Sequence, residues 1–118
     1  MDQKELKART KQFALRIVRL ASSLPAGRVG DVVGRQVLKS GTSVGANYRE
    51  ALRATSKKHF ISTMHVVLRE ADETLYWLEL LSEAGILKPS LLDDLMDECN
   101  QLVAIFTATI KTSKSNTP

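Results

Sequence analysis

The chain has 118 residues, of which 43% are apolar and 25% charged, and it carries a net charge of +4 with a single cysteine. This length suits one domain with one core, and one cysteine excludes a disulfide framework and multi-cysteine metal sites. The sequence has neither the roughly 20 consecutive apolar residues of a membrane span nor the apolar run of a signal peptide, so we expect a cytoplasmic protein.

Two helices are predicted in the first half of the chain. Asp2 and Glu5 have the spacing of a capping box, and Pro25 interrupts the pattern, which predicts a first helix over about residues 3–24. The second helix is predicted over about residues 31–55. Residues spaced four and three apart keep one face of this helix toward a partner helix, and we call such a row of residues a seam. The seam becomes polar halfway along the helix: Val33, Val37, Ser40, Val44, Asn47, Ala51 and Ala54.

Three glycines, Gly34, Gly41 and Gly45, lie on one flank of that seam. Each glycine inside a helix costs up to about 1 kcal/mol relative to alanine. We therefore expect them to allow the close approach of another helix, either within the bundle or between subunits.

Two further helices are predicted in the second half of the chain. Ser56 caps a third helix over about residues 57–84, and Ser90 caps a fourth over about residues 91–111. The polar residues 112–118 are expected to form a disordered tail. Four helices of similar length joined by short loops predict an all-α, up-down-up-down four-helix bundle.

Polar residues on the helix faces are predicted to form a shared layer between helices, closed by Arg or Lys side chains. This polar core network comprises Ser40, Ser43, Asn47, Glu50, Glu70 and Glu73. A di-iron bundle would need Glu-x-x-His motifs, whereas Glu73 stands three residues beyond Glu70. We therefore expect no metal and no cofactor.

No catalytic residue or small-molecule substrate is predicted, because the sequence has no evident pair of nucleophile and base. Cys99 lies on an apolar helical stripe, which predicts a buried and unreactive thiol. The minority alternative is a metal-dependent nuclease site that uses Glu73 at a subunit boundary.

The third helix has a second apolar stripe, which predicts an oligomer interface formed by Val66, Trp77 and Leu80. The alternative is that Trp77 covers the end of the bundle beneath a loop. Residues 1–59 hold 13 Lys or Arg against 4 Asp or Glu, whereas residues 60–118 hold 4 against 9. A basic half of +9 and an acidic half of −5 can pair between copies, so we predict a head-to-tail homo-oligomeric ring.

The basic residues of the first half are candidates for nucleic-acid binding, because Lys and Arg neutralise phosphates whatever the base sequence. Lys4 and Lys11 share one outer edge of the first helix. The alternative is a solvated face, since no aromatic residues alternate with these charges to stack bases. The candidates are Arg9, Lys11, Arg16, Arg35, Arg49, Arg53, Lys57 and Lys58.

The segments VLKSGTSVGANYREA and LREADETLYWLELL, with Ser56 and Phe60 between them, resemble a bacterial protein family. This family of four-helix-bundle proteins is encoded in intervening sequences of 23S ribosomal RNA genes, and the resemblance covers roughly residues 10–110. Its recurring elements are similar to residues of this chain: Ser40, Gly41, Ser43, Val44, Asn47, Glu50, Glu70 and Glu73. The resemblance implies a ring of five subunits and a distant kinship with the nucleic-acid-binding accessory proteins of diversity-generating retroelements. It implies no established activity.

We therefore predict a nonenzymatic, oligomeric scaffold or adaptor that has itself, and RNA or DNA, as partners and has no membrane partner. The alternative is a protein–protein interaction ring with no nucleic-acid role.

Overall fold

The structure is a computed structural model that describes residues 1–115, and this part of the chain forms four α-helices and no strand. The helices are α1 (Gln3–Ser22), α2 (Arg28–Leu52), α3 (Lys57–Glu83) and α4 (Pro89–Ser115). Each helix packs against the next, and α4 meets α1 over a narrower strip. The result is a rod of 52 × 21 × 20 Å, which confirms the predicted four-helix bundle. Among the described helices, none combines the length and the apolarity that a membrane crossing requires.

Side-chain caps start two of the helices at the predicted residues. The Asp2 carboxylate accepts a hydrogen bond from the Glu5 backbone N–H at 2.7 Å, and the Ser56 hydroxyl accepts one from the His59 N–H at 3.0 Å. These bonds satisfy backbone donors that have no partner within the helix.

The boundaries of α1 and α2 differ from the prediction by two or three residues. α1 ends at Ser22, not near residue 24, because the chain tightens there into a turn. α2 begins at Arg28, not residue 31, since Gly27 has a φ of +136°, which lets the chain re-enter a helix at once. α2 ends at Leu52, not residue 55.

The fourth helix is longer than predicted at both ends. It begins at Pro89, not residue 91, because proline suits the first helical turn, where its missing N–H costs nothing. At the other end the predicted disordered tail is wrong for residues 112–115, which continue the helix to Ser115. Lys114 in this last turn complements the helix dipole. The rest of the predicted tail, residues 116–118, lies outside the described residues.

The four apolar seams meet in one core of closely packed side chains. The largest fully buried ones include Phe13, Ile17, Met64, Leu102 and Phe106. Cys99 is also buried there, and its thiol donates a hydrogen bond to the Ala71 carbonyl at 3.2 Å. Burial raises the pKa of Cys99 to about 12, with nearby carboxylates adding to the effect. The predicted buried thiol is confirmed, and at neutral pH it stays protonated and a poor nucleophile.

Small residues on α2 bring α1 unusually close. A Cβ added at Gly41 would lie 2.7 Å from two carbons of the Ile17 side chain, and one at Gly45 would lie 3.3 Å from the Thr10 carbonyl oxygen. Neither position has room for a larger side chain without a shift of α1. The prediction that the glycines permit close helix approach is therefore confirmed in its first form, packing within the bundle.

Candidate nucleic-acid interface

A groove of about 540 Å³ lies between α1 and α2 and is bordered by four positively charged side chains. Lys4, Lys7 and Lys11 come from α1, and Arg49 comes from α2; no acidic side chain lines the groove. Small residues complete its lining: Ala8, Thr10, Ala14, Thr42, Gly45 and Ala46. We call this surface the basic groove.

The helical repeat explains why these charges converge. Lys4, Lys7 and Lys11 follow one another at steps of three and four residues, so they form one stripe about 10 Å long on α1. Gly45 lets α1 approach α2 closely, and the small neighbouring side chains leave an open depression between the helices. The cations consequently border a concave surface.

A second groove, of about 380 Å³, lies further along α2, near the start of α3. We call it the corner groove. Its lining residues are Ala46, Arg49, Glu50, Arg53 and His59. Ala46 and Arg49 also line the basic groove, so the two depressions adjoin along one ridge of α2.

The predicted nucleic-acid residues are spread over several parts of the surface. Lys11 and Arg49 line the basic groove, and Arg53 lines the corner groove. Lys57 and Lys58 are exposed in the first turn of α3, at the same end of the bundle.

The other three candidates lie elsewhere. Arg16 is half-buried on α1 and lines neither groove. Arg35 lines a separate depression nearer the loop between α1 and α2, together with Val18 and Leu38. Arg9 faces α4, where its guanidinium forms a bidentate ion pair with Glu98, with N–O distances of 2.7 and 2.6 Å. The hydrogen bond to Glu98 raises the pKa of Arg9, and this pair joins the first helix to the last.

Lys7 was absent from the sequence-based candidates although it lies in the centre of the lysine stripe. Its spacing of three residues from Lys4 and four from Lys11 was the signal that could have identified it. The sequence alone did not show that this stripe faces Arg49.

The predicted polar core network does not form as a layer between helices. Ser40 is buried, but its hydroxyl donates to the Gln36 carbonyl at 3.0 Å. The Asn47 amide donates to the Ser43 carbonyl at 2.8 Å. The Ser40 and Asn47 side chains thus form their hydrogen bonds with carbonyl groups of the preceding turn of their own helix and need no partner across the bundle.

The carboxylates of that set are also placed differently from the prediction. Glu50 and Glu73 are exposed, and Glu70 is half-buried, with its backbone carbonyl accepting a hydrogen bond from Thr74 at 2.7 Å. Within residues 1–115, no group of three His, Cys, Asp or Glu side chains is arranged to hold a metal ion.

The residues predicted for an oligomer interface, Val66, Trp77 and Leu80, are all half-buried. Trp77 packs against the core and meets the ring of Tyr76 edge-on, with the ring centroids 5.1 Å apart. Its indole N–H is buried and has no acceptor within the described chain. Leu80 and Tyr76 line a groove with Glu79 and Glu83, which we call the acidic groove.

Large exposed apolar side chains occur on both halves of the molecule, and Tyr76 and Leu91 of the second half are 56 and 60% exposed. Leu15, Val18 and Leu38 lie on α1 and α2 with exposed fractions of 38, 41 and 38%. We call these three residues the apolar patch. The predicted interface on α3 stays a prediction.

Comparison with known proteins gives a consistent assignment. The family described as 23S rRNA-intervening sequence protein matches residues 3–108. The chain is also similar to the crystal structure of a protein of unknown function from the S23 ribosomal protein family of Bacteroides thetaiotaomicron, with 35% sequence identity and a TM-score of 0.87. That similarity covers 94% of this chain and 99% of the other. No curated protein matches the chain.

Neither the family nor the structural neighbour indicates an enzyme class. The resemblance inferred from the sequence is confirmed, since the family match covers nearly the whole described chain. This chain belongs to the 23S rRNA-intervening sequence protein family.

Proposed function

We propose that the protein is a nonenzymatic adaptor that binds the phosphate backbone of nucleic acid, with RNA as the first ligand to test. The observation that supports this proposal is the basic groove, where four cations and no acidic side chain surround one concave surface. Arg49 and the three lysines would neutralise phosphates and release their counterions.

The composition of the groove also sets the mode of recognition. Its lining has no aromatic side chain on which a base could stack, and no Asn or Gln that could read a base edge. Contacts to phosphates carry no sequence information. The proposed binding is therefore strong at low salt, weaker at high salt and nearly independent of base sequence.

Assembly into a ring is part of the proposal. The acidic groove on α3 can pair in a head-to-tail contact with cations of the next copy that lie outside the basic groove, such as Arg35. A ring, of five subunits as the family resemblance implies, would repeat the basic groove in each subunit. Repetition would raise the affinity for a long nucleic acid through avidity.

The proposal is tested by fluorescence anisotropy with a structured RNA and a duplex DNA over a range of salt concentrations. The double variant K7E/R49E reverses two charges of the basic groove. We expect it to bind at least about 30-fold more weakly than the unaltered protein. The slope of log affinity against log salt concentration should also become shallower by the contribution of about two phosphate contacts.

The matched control is R28E/K88E, which changes the net charge by the same amount. Both residues are exposed and belong to the opposite end of the bundle, where the α1–α2 and α3–α4 loops meet. We expect this control to bind nearly as tightly as the unaltered protein. Equal losses in both variants, or no binding by the unaltered protein at physiological salt, would contradict the proposal.

The second candidate function is a protein-interaction ring without a nucleic-acid role. It is favoured by the apolar patch, because exposed apolar residues that lie together on a small protein often form contacts with another protein. In that case K7E/R49E would leave nucleic-acid binding unchanged, and V18E/L38E would alter the mass measured by light scattering.

A further inference from the structure

The acidic groove and the apolar patch lie toward the same end of the bundle. At this end the α1–α2 loop lies beside the α3–α4 loop, because residues 25–30 and 85–86 border one depression. The acidic groove occupies the last two turns of α3, which ends there at Glu83. The apolar patch lies where α1 ends and α2 begins. At a rise of about 1.5 Å per residue, both surfaces lie within about 15 Å of that end.

We infer that the acidic groove of one copy docks on the apolar patch of the next copy and that this contact closes a ring; this inference rests on the assembly part of the proposed function. The two surfaces differ, so the contact is heterologous and every copy offers both of them. A heterologous contact that shifts each copy along the axis gives an open filament, whereas one without a shift can close. Because the two surfaces lie at similar heights on the rod, neighbouring rods stand side by side.

The ring of Tyr76 supplies the apolar part of this contact. It is 56% exposed and meets Trp77 edge-on. The depression beside the apolar patch has a volume of about 280 Å³, and its lining includes Val18, Gly34 and Leu38. An aromatic side chain that fills a pocket is a common anchor of protein interfaces. Docking would therefore bury exposed apolar surface of both copies at once.

The charges around the two surfaces are complementary. Arg35 lines the depression beside the apolar patch, and Glu79 lines the acidic groove. Counted along their helices, Arg35 lies about 10 Å and Glu79 about 6 Å from the loop end, so they can meet when two rods stand side by side. Of the residues that line the depression, only Asp31 is acidic, and it can accept a hydrogen bond from the Tyr76 hydroxyl. Contact between two apolar patches would instead bring two Arg35 side chains together, which like-charge repulsion opposes.

This contact leaves the basic groove open. Lys4 and Lys7 lie in the first two turns of α1 and Arg49 lies in the last turn of α2, toward the end opposite the loops. All copies in the ring point in the same direction, so their basic grooves line one rim. A long polyanion that runs along this rim would gain avidity from each copy.

Crosslinking with a bismaleimide tests the contact directly. The variant L38C/Y76C places one thiol on each surface, and Cys99 does not compete because it is buried. We expect a ladder of covalent multimers that ends at the size of the ring, and no dimers from L38C or Y76C alone. L38C/L91C, with the second thiol outside both surfaces, is the matched control. No ladder, or dimers from a single-cysteine variant, would overturn the inference.

Light scattering at micromolar concentration gives a second measurement. R35E places like charges opposite each other in the contact, so we expect it to lower the measured mass. R35E/E79R restores opposite charges with their signs exchanged and should raise the mass again. Circular dichroism would verify that both variants fold. An unaltered protein with the mass of a single chain, or an unchanged mass in R35E, would overturn the inference.

The outcomes separate this inference from nucleic-acid binding. If the unaltered protein is a single chain that binds RNA, the ring fails and the nucleic-acid function stands. If the ring forms as expected and binds no nucleic acid, the contact stands and the nucleic-acid function fails.

Discussion

The first two helices and the last two are built on the same heptad-like spacing but pack in different ways. Between α1 and α2, Gly41 and Gly45 bring the two helices into close contact, and small side chains leave the basic groove open to solvent. Between α3 and α4, the seam is filled by larger buried side chains such as Leu78 and Leu102. One architecture thus combines a filled seam between α3 and α4 with an open, concave seam between α1 and α2.

The charges follow the same division. The first half of the chain is strongly basic and the second half acidic, and Arg9 and Glu98 join the two halves by an ion pair. A surface rich in cations favours contacts with polyanions through their long-range field. Packing and charge are therefore the reason why the proposed function is assigned to α1 and α2.

The largest expected effect tests the filled half. L102A should destabilise the protein by about 2–5 kcal/mol, because Leu102 is fully buried and the truncation leaves a cavity. L91A in the same helix is the control, since Leu91 is 60% exposed. Urea denaturation would measure both, and a similar loss for the two variants would contradict the assignment of Leu102 to the core.

A second prediction tests the close approach of α1 to α2. G41A and G34A introduce the same methyl group into the same helix and gain the same helix propensity, up to about 1 kcal/mol. At Gly41 the methyl group meets the branched, immobile part of Ile17 at 2.7 Å, whereas at Gly34 it meets one terminal carbon of Leu24 at 3.2 Å. We therefore expect G41A to be less stable than G34A by about 1–3 kcal/mol.

Thermal unfolding followed by circular dichroism would measure this difference. Equal stabilities of G41A and G34A would show that α1 and α2 are not held as closely as the distances indicate. A loss of nucleic-acid binding in G41A alone would link the helix spacing to the basic groove.

The smallest effect concerns the link between the two halves. R9Q removes the bidentate ion pair with Glu98, in which the two side chains are 23% and 18% exposed. Because solvent screens this pair, we expect a loss of about 1 kcal/mol that shrinks at high salt. E98Q should behave in the same way in salt-dependent denaturation, and a loss independent of salt would indicate a packing role for Arg9.

The sequence predicted several local features for reasons that are local. Asp2 and Ser56 cap their helices because each side chain needs only its own next turn. The heptad-like seams identified buried residues such as Val37 and Val44, since the helical repeat alone brings them to one face. The end of α4 was misjudged because polar residues at a helix terminus do not by themselves stop it.

The interactions between helices were much less predictable. Ser40 and Asn47 were expected to bond across the bundle, but each bonds within its own helix because that partner is nearer. Arg9 was expected to be available to nucleic acid, but its guanidinium forms an ion pair with Glu98, which is 89 residues away in the sequence. Sequence spacing does not show which of several possible partners a long charged side chain will meet.

Residue order and composition alone indicated the four helices, the Asp2 and Ser56 caps, the buried seams, the basic character of the first half and the family. Only in the packed bundle does it become visible that the three lysines border a groove with Arg49, and that a second groove adjoins it along α2. The physical reason is that a concave surface requires two helices at a particular separation and rotation. That geometry is set by the packing of Gly41 and Gly45 against α1.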